Sequence, residues 1–153
     1  MSVYLIRHAK AGSRSEWVED DMSRPLSKTG WRQAHKIALK FAKRPPTALI
    51  SSPYLRCVQT LQPLAEANAL EVVVDERLTE GAAFEPVLAM LGELPDGAVL
   101  CSHGDVVPDT IAALQRRGCR INGAADWRKA TVWKLDRNSA GDVISAKVWP
   151  PPA

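Results

Sequence analysis

The segment Val3-Tyr4-Leu5-Ile6-Arg7-His8-Ala9-Lys10-Ala11-Gly12 decides how the rest of the chain is read. Four apolar, strand-favouring residues run together and then give way at once to arginine and histidine. An uninterrupted run of this kind reads as a short strand buried on both faces. Strands covered on both faces belong to parallel or mixed sheets with helices above and below. Arg7 and His8 therefore lie where the first strand passes into a loop.

The same pattern recurs downstream. Residues 13–24 are polar, with Glu19, Asp20 and Asp21 adjacent, and read as an exposed loop. Pro25-Leu26-Ser27-Lys28-Thr29-Gly30 opens a helix over about 29–42, in which Ala34, Ile37, Ala38 and Phe41 recur at helical spacing until Pro45 and Pro46 stop it. Ala48-Leu49-Ile50-Ser51-Ser52 is a second strand, and 54–68 a second helix with Leu55, Val58, Leu61, Leu64 and Ala65 on one face. Val72, Val73 and Val74 mark a buried third strand within 71–75. A loop over 77–81 and a third helix over 85–94 follow. Ala98-Val99-Leu100-Cys101-Ser102 is another buried strand, ending in His103-Gly104. The fourth helix covers 106–117, with Pro108 tolerated in its first turn. Residues 130–135 and 142–149 form a closing hairpin around 138–141, and Pro150-Pro151-Pro152 is a frayed end. Alternating strands and helices predict one α/β domain over 1–153, a three-layer α/β/α sandwich around a mostly parallel sheet.

Composition narrows the function classes. With 46% hydrophobic and 24% charged residues, the 153-residue chain is a folded globular domain, not a disordered one. A formal net charge of +3 favours anionic partners and is too small to indicate nucleic acid. No apolar run approaches the ~20 residues that span a bilayer, and Arg7 and His8 interrupt the N-terminal stretch too early for a secretory signal. Neither nucleic acid nor membrane is expected as a partner. Cys57, Cys101 and Cys119 contain no CxxC pair and are odd in number, which predicts reduced thiols in a cytoplasmic protein. Three scattered cysteines and three scattered histidines supply no zinc site, and no P-loop or dinucleotide fingerprint is present. No metal or cofactor is expected.

The chemistry concentrates at one edge. In open α/β sheets, ligands bind beyond the carboxyl ends of the strands. The first strand delivers Arg7 and His8 there, the second leads through Ser51-Ser52-Pro53 to Arg56, and the fourth delivers His103. Two arginines and two histidines on one edge suit a phosphoryl group. The guanidinium fork binds phosphate oxygens and keeps its charge at any working pH. A neutral imidazole attacks phosphorus, and a second histidine donates a hydrogen bond to the transferring group. Helix N-termini near Tyr54 and Val106 add N–H donors. His35, among lysines inside the first helix, reads as a surface residue.

These segments resemble known motifs. Leu5-Ile6-Arg7-His8-Ala9-Lys10 resembles the RHG-type signature of the histidine phosphatase (phosphoglycerate mutase-like) superfamily. Ser51-Ser52-Pro53-Tyr54-Leu55-Arg56-Cys57-Val58-Gln59-Thr60 is similar to its S-S-P-x-x-R-x-x-Q-T segment, and Leu100-Cys101-Ser102-His103-Gly104 to its second-histidine motif. Arg24-Pro25-Leu26-Ser27 followed by Gly30 resembles an element of the short, SixA-like branch of bacterial phosphohistidine phosphatases. The chain also resembles the phosphatase-like half of actinobacterial MutT-type Nudix proteins. The resemblance implies a phosphoglycerate mutase-like fold and a metal-independent phosphatase, with His8 as the nucleophile that becomes phosphorylated. Arg7, Arg56 and His103 would hold the phosphoryl oxygens and stabilise transition-state charge. The proton donor would be a carboxylate after the third strand. Glu80 matches it best, with Glu76, Glu85 and Asp105 as rivals; such an acid must carry a proton when it acts.

Two departures from the family pattern matter, the first for activity and the second for the substrate. Ala9 replaces the family's common glycine, as also happens in the short branch. The long insertions that shape sugar-phosphate sites are missing, which leaves an open pocket suited to a phosphorylated protein or another accessible phosphate ester. The Nudix kinship adds nucleotide or dinucleotide polyphosphates as an alternative. Lys10, Arg14 and Lys28 extend the positive field, Lys10 and Arg14 being the substrate-binding candidates among them, and Trp17 is either a lid or a loop anchor. Trp31, Trp133 and Trp149 fall on predicted elements and read as core. The rival class is a non-catalytic phosphate-binding regulatory module; a mutase-like phosphotransferase is disfavoured by the short chain. Oligomeric state is not legible.

Overall fold

Along β1 (Ser2–Arg7) the side chains alternate between two cores: Val3 and Leu5 enter one, Tyr4 and Ile6 the other. That alternation of uniformly apolar residues is why β1 sits inside the sheet with helices on both faces. The computed structural model describes residues 1–153. After β1 come α1 (Lys28–Lys40), β2 (Ala48–Ser51), α2 (Leu55–Asn68), β3 (Val72–Val74), α3 (Phe84–Glu93), β4 (Ala98–Ser102), α4 (Val106–Arg116), β5 (Arg120–Ile121), β6 (Val132–Arg137) and β7 (Val143–Trp149). The seven strands form one sheet in the order β3-β2-β4-β1-β6-β7-β5. Pairings β1–β4, β2–β3, β2–β4 and β5–β7 are parallel, while β1–β6 and β6–β7 are antiparallel. The expected three layers and mostly parallel sheet are what the chain builds. No helix is long and apolar enough to cross a membrane.

Helices α1 and α2 cover one face, with Ala34, Ile37, Phe41, Leu61 and Leu64 meeting Ile6, Leu49 and Val99. Helices α3 and α4 cover the other, where Val87, Met90, Leu91, Val107 and Ile111 meet Val3, Leu5, Leu100 and the fully buried Trp133. Burying each such side chain contributes on the order of 1.5–3 kcal/mol. β1 and β4 are neighbours, yet β1 leads to α1 on one face and β4 to α4 on the other. The chain therefore parts between them, and a crevice opens beyond their carboxyl ends.

Three expectations change, and one strand, β5, was not expected at all. β3 is not buried: it is the sheet edge with a single neighbour, and Val73 and Val74 are exposed. The two-residue β5, too short for any periodicity, pairs with β7 at the opposite edge. Trp31 and Trp149 are only half-buried, packed on the rim of the α1–α2 core. The terminal prolines do not fray; Lys36 and Lys40 donate to the carbonyls of Ala153 and Pro150, laying the tail along α1. The closing hairpin forms with its first strand two residues later than expected, at 132–137, and Asn138 Oδ1 accepts from the backbone of Ala140 and Asp142.

Gly30 sets how closely α1 approaches the loop after β1. A Cβ there would lie 1.9 Å from the Lys10 carbonyl oxygen, which itself accepts from the backbone N–H and the hydroxyl of Ser27. Gly30→Ala is expected to lose about 1–3 kcal/mol of stability through this backbone clash, read as a lowered urea midpoint. An unchanged midpoint would show that α1 shifts without penalty.

Candidate active site

Strand register brings the two histidines together. Arg7 pairs with Ser102 and Ser51 with Cys101, so the residues that follow each strand leave the sheet side by side. The His8 N–H continues the ladder onto Ser102 O at 3.0 Å, and the Ser52 N–H onto Cys101 O at 3.0 Å. The His8 and His103 rings end with centroids 5.5 Å apart at 67°.

His8 is almost fully buried, and its Nδ1 lies 2.8 Å from the Ala9 carbonyl oxygen. A carbonyl only accepts, so Nδ1 carries the proton and Nε2 is left with its lone pair. Burial foremost pushes the His8 imidazolium down to about 3; the Ala9 carbonyl works the other way, while the charges of Arg56, His103 and Arg7 add to the depression. The ring is thus neutral, in a single tautomer, with one free nucleophilic nitrogen. The Ala9 methyl is wholly buried in the α1–α2 core, so this departure from glycine is accommodated by packing. The Ala9 N–H donates to Thr60 Oγ1, which donates in turn to Arg56 O at 2.7 Å; the Leu26 N–H donates to Gln59 Oε1 at 2.8 Å. The Gln-Thr pair of the α2 motif ties the two loops beside His8 to the helix that carries Arg56.

The sequence-derived candidates surround a cavity of about 690 Å³ in which Ala11 is the single apolar lining residue. Arg7, His8, Lys10, Arg14, Glu80 and His103 all line it. Arg7 donates through Nη1 to Trp127 O at 2.5 Å, and its Nε has no partner. A Cβ on Gly104 would meet the Arg7 guanidinium at 2.6 Å, so the glycine after His103 is what admits that side chain. His103 Nε2 lies 2.8 Å from Ser52 Oγ and its Nδ1 is unpartnered. Arg56 is 1% exposed and is not among the lining residues; its Nη groups are bonded to Asp21 and to Glu80, which does line the cavity. Glu80 bridges Arg14 at 3.1 Å and Arg56 at 3.4 Å.

Among the rival acids, Glu76 and Glu85 are exposed and away from the cavity lining. Asp105 lines it, but its two oxygens accept from the N–H groups of Gly81 and Val106 at 2.8 and 2.9 Å. Asp105 therefore holds the Glu80 loop and caps α4, taking the Val106 N–H that was expected to face an anion. Trp17 is a loop anchor: it is absent from the lining, and its Nε1 donates to Asp20 O. Lys28 is not among the lining residues either. No group of three or more His, Cys, Asp or Glu converges as a metal-binding set.

Three residues of the site were not singled out by the sequence. Arg24, buried, lines the cavity and donates to Asp21 Oδ1 at 2.9 Å and to Gly12 O at 2.5 Å. Asp21 lies in what read as plain polar loop. Lys129, before β6, also lines the cavity; burial first, and then the charges of Arg7, Arg24, Lys10 and Arg56, push its ammonium down. The only sequence signal for any of them is the Arg24-Pro25-Leu26 element.

The sequence profile of the histidine phosphatase superfamily (branch 1) matches residues 3–86. The chain belongs to that superfamily. A Mycolicibacterium smegmatis protein named 8-oxo-(d)GTP phosphatase is 31% identical over 158 residues, covering 99% of this histidine phosphatase chain and 48% of its own length. A Yersinia enterocolitica protein assigned as phosphoglycerate mutase GpmB is 35% identical over 81 residues, covering 52% of this chain and 38% of its own. The chain thus spans about half, or less, of the length of these curated relatives. Among solved structures, the protein assigned as phosphohistidine phosphatase SixA from Agrobacterium tumefaciens superposes with a TM-score of 0.70 at 26% identity, over 89% of this chain and 91% of that one. The protein histidine phosphatase SixA complexed with tungstate shares the fold, with a TM-score of 0.74 at 22% identity over 98% and 95%.

The depressed His8 value has a consequence for stability. Between its ordinary value near 6.5 and about 3, the unfolded chain binds a proton that the folded chain refuses. Stability therefore rises with pH across this window and is lost on acidification, by about 1.4 kcal/mol per pH unit below 6.5. Urea unfolding at pH 6.5 and 5.0 is expected to show wild type losing about 2 kcal/mol more than His8→Asn. Parallel losses would show that His8 protonates in place.

Proposed function

We propose that the chain is a metal-independent phosphatase that hydrolyses phosphomonoesters or phosphoramidates, phosphohistidine included, through a phosphohistidine on His8. The observation that carries this reading is the state of the His8 ring: neutral, with Nδ1–H engaged by the Ala9 carbonyl and Nε2 free. Nucleophilic catalysis needs a lone pair on a fixed atom at working pH, and these contacts supply one.

In the first step the Nε2 lone pair attacks phosphorus. The N–P bond forms as the P–O or P–N bond to the leaving group breaks, and the leaving group departs with the electron pair and a proton from Glu80. Glu80 must first take that proton from water as the phosphoryl group displaces its carboxylate from Arg14 and Arg56. In the second, a water oxygen attacks the phosphohistidine, its proton passes to Glu80, and the pair of the broken N–P bond returns to Nε2. Arg7, Arg56 and His103 stabilise the charge on the phosphoryl oxygens. Positioned cations and donors do the work in phosphoryl transfer, and this site is rich in both.

For the substrate, a cavity lined almost entirely by charged and polar residues favours the phosphoryl group itself as the recognised feature. That suits a phosphorylated protein side chain or a small phosphate ester. Similarity to the 8-oxo-(d)GTP phosphatase along nearly the whole chain favours a second reading, a nucleotide polyphosphate substrate. Lys10 and Lys129, which line the cavity and have no ion-pair partner, are compatible with its additional charge.

Purified protein is expected to turn over p-nitrophenyl phosphate with EDTA present, and His8→Ala to lose at least about 10³-fold in kcat. A phosphohistidine peptide and a nucleoside diphosphate, run side by side, separate the two substrate readings by kcat/KM. Absence of turnover with all three, alongside orthophosphate binding that needs Arg7, would establish the binding-module alternative instead.

A further inference from the structure

Arg56 is held by one residue at two points. Its Nη1 donates to the main-chain oxygen of Asp21 at 3.0 Å and its Nη2 to Asp21 Oδ2 at 3.1 Å. Nη2 also reaches Glu80 Oε2 at 3.4 Å. Of the five guanidinium N–H bonds, these contacts use three and leave Nε–H and one Nη1–H without a protein acceptor.

Asp21 is itself fixed. It opens a 3-10 turn (Asp21–Ser23) capped by the Asp20 carboxylate on the Met22 N–H. The Asp20 carbonyl accepts from Trp17 Nε1 and Ser23 Oγ. Asp21 Oδ1 accepts from Arg24, which also ties back to Gly12 O. Burial works to raise the Asp21 carboxyl, but the Arg24 hydrogen bond and the charges of Arg56 and Arg24 outweigh it and hold the group below the usual carboxylate range. A free guanidinium rotates about its long side chain, whereas one gripped at two edges by a rigid turn has a set plane.

We propose that Asp21 is a positioning residue for Arg56, whose two-point grip fixes the guanidinium plane and so the placing of its charge relative to a phosphoryl group beside His8. What Arg56 meets rests on the phosphatase reading; the grip does not. The role differs from a plain loop-stabilising ion pair because its value passes through Arg56. Removing Asp21 should therefore harm phosphoryl recognition only when Arg56 is there to be aimed.

The test is a double-mutant cycle of Asp21→Ala and Asp21→Asn with Arg56→Lys, reading kcat/KM on p-nitrophenyl phosphate and orthophosphate affinity by calorimetry. Asp21→Ala is expected to lower kcat/KM by about 100-fold with Arg56 in place, the scale of a small misplacement of a reacting-site group, and by no more than about twofold in the Arg56→Lys background. Asp21→Asn, which keeps the main-chain contact and a side-chain oxygen, should fall between; it also carries the cycle if the alanine variant fails to fold. Equal losses with and without Arg56, or losses that track melting temperature alone, would overturn the proposal. Wild type that binds orthophosphate with the expected coupling but turns nothing over would overturn the phosphatase reading and leave the positioning role standing. A wild type that does neither would overturn both.

Discussion

Everything at this site depends on β1 and β4 lying side by side in parallel, with Arg7 opposite Ser102. Backbone hydrogen bonds fix that register, and burial on both faces prevents slippage, because a one-residue shift would turn each apolar side chain to the wrong core. From this pairing follow the adjacency of His8 and His103, the place where the chain divides between two helical layers, and the crevice between them. The side chains that would perform the chemistry are thus delivered by the most rigid part of the molecule.

A second layer of order is electrostatic. The cavity gathers Arg7, Arg14, Arg24, Lys10 and Lys129 around a neutral histidine, with the buried Arg56 paired to Glu80 of its lining. Charges of one sign so close together need counter-ions, and Asp21 and Glu80 provide them, bridging Arg14 and Arg56, with Asp21 also pairing Arg24. Arg7 and the two lysines lack such partners, so the field left over is positive where a phosphoryl group would enter. Burial that would be costly for an isolated charge is tolerated because the pairs are hydrogen-bonded as well as ionic.

How much of this could be read in advance depended on range. The strands, the helices and the edge that carries Arg7, His8, Arg56 and His103 follow from local apolar runs and from where those runs stop. Asp21 was illegible because its role lies in a contact thirty-five positions along the chain, with Arg56; locally it is one of three adjacent acids in a polar loop. Lys129 depends on β6 closing against β1, a pairing without local trace. β3 misled for the opposite reason: three valines signal a strand but do not say whether it has a neighbour on each side. Gln59 and Thr60 were visible as a motif, and only the structure shows that they fasten the flanking loops to α2.

The Trp127 contact gives the molecule an unplanned property. Its carbonyl accepts from Arg7, and its indole stacks on the buried Trp133 with centroids 5.0 Å apart and planes 26° from parallel. One arginine thus links the cavity to a stacked pair of indoles, one at the surface and one in the core. A displacement of Arg7 would reach the Trp127 carbonyl, and through it an indole pair whose stacking contributes to the chain's near-ultraviolet signal.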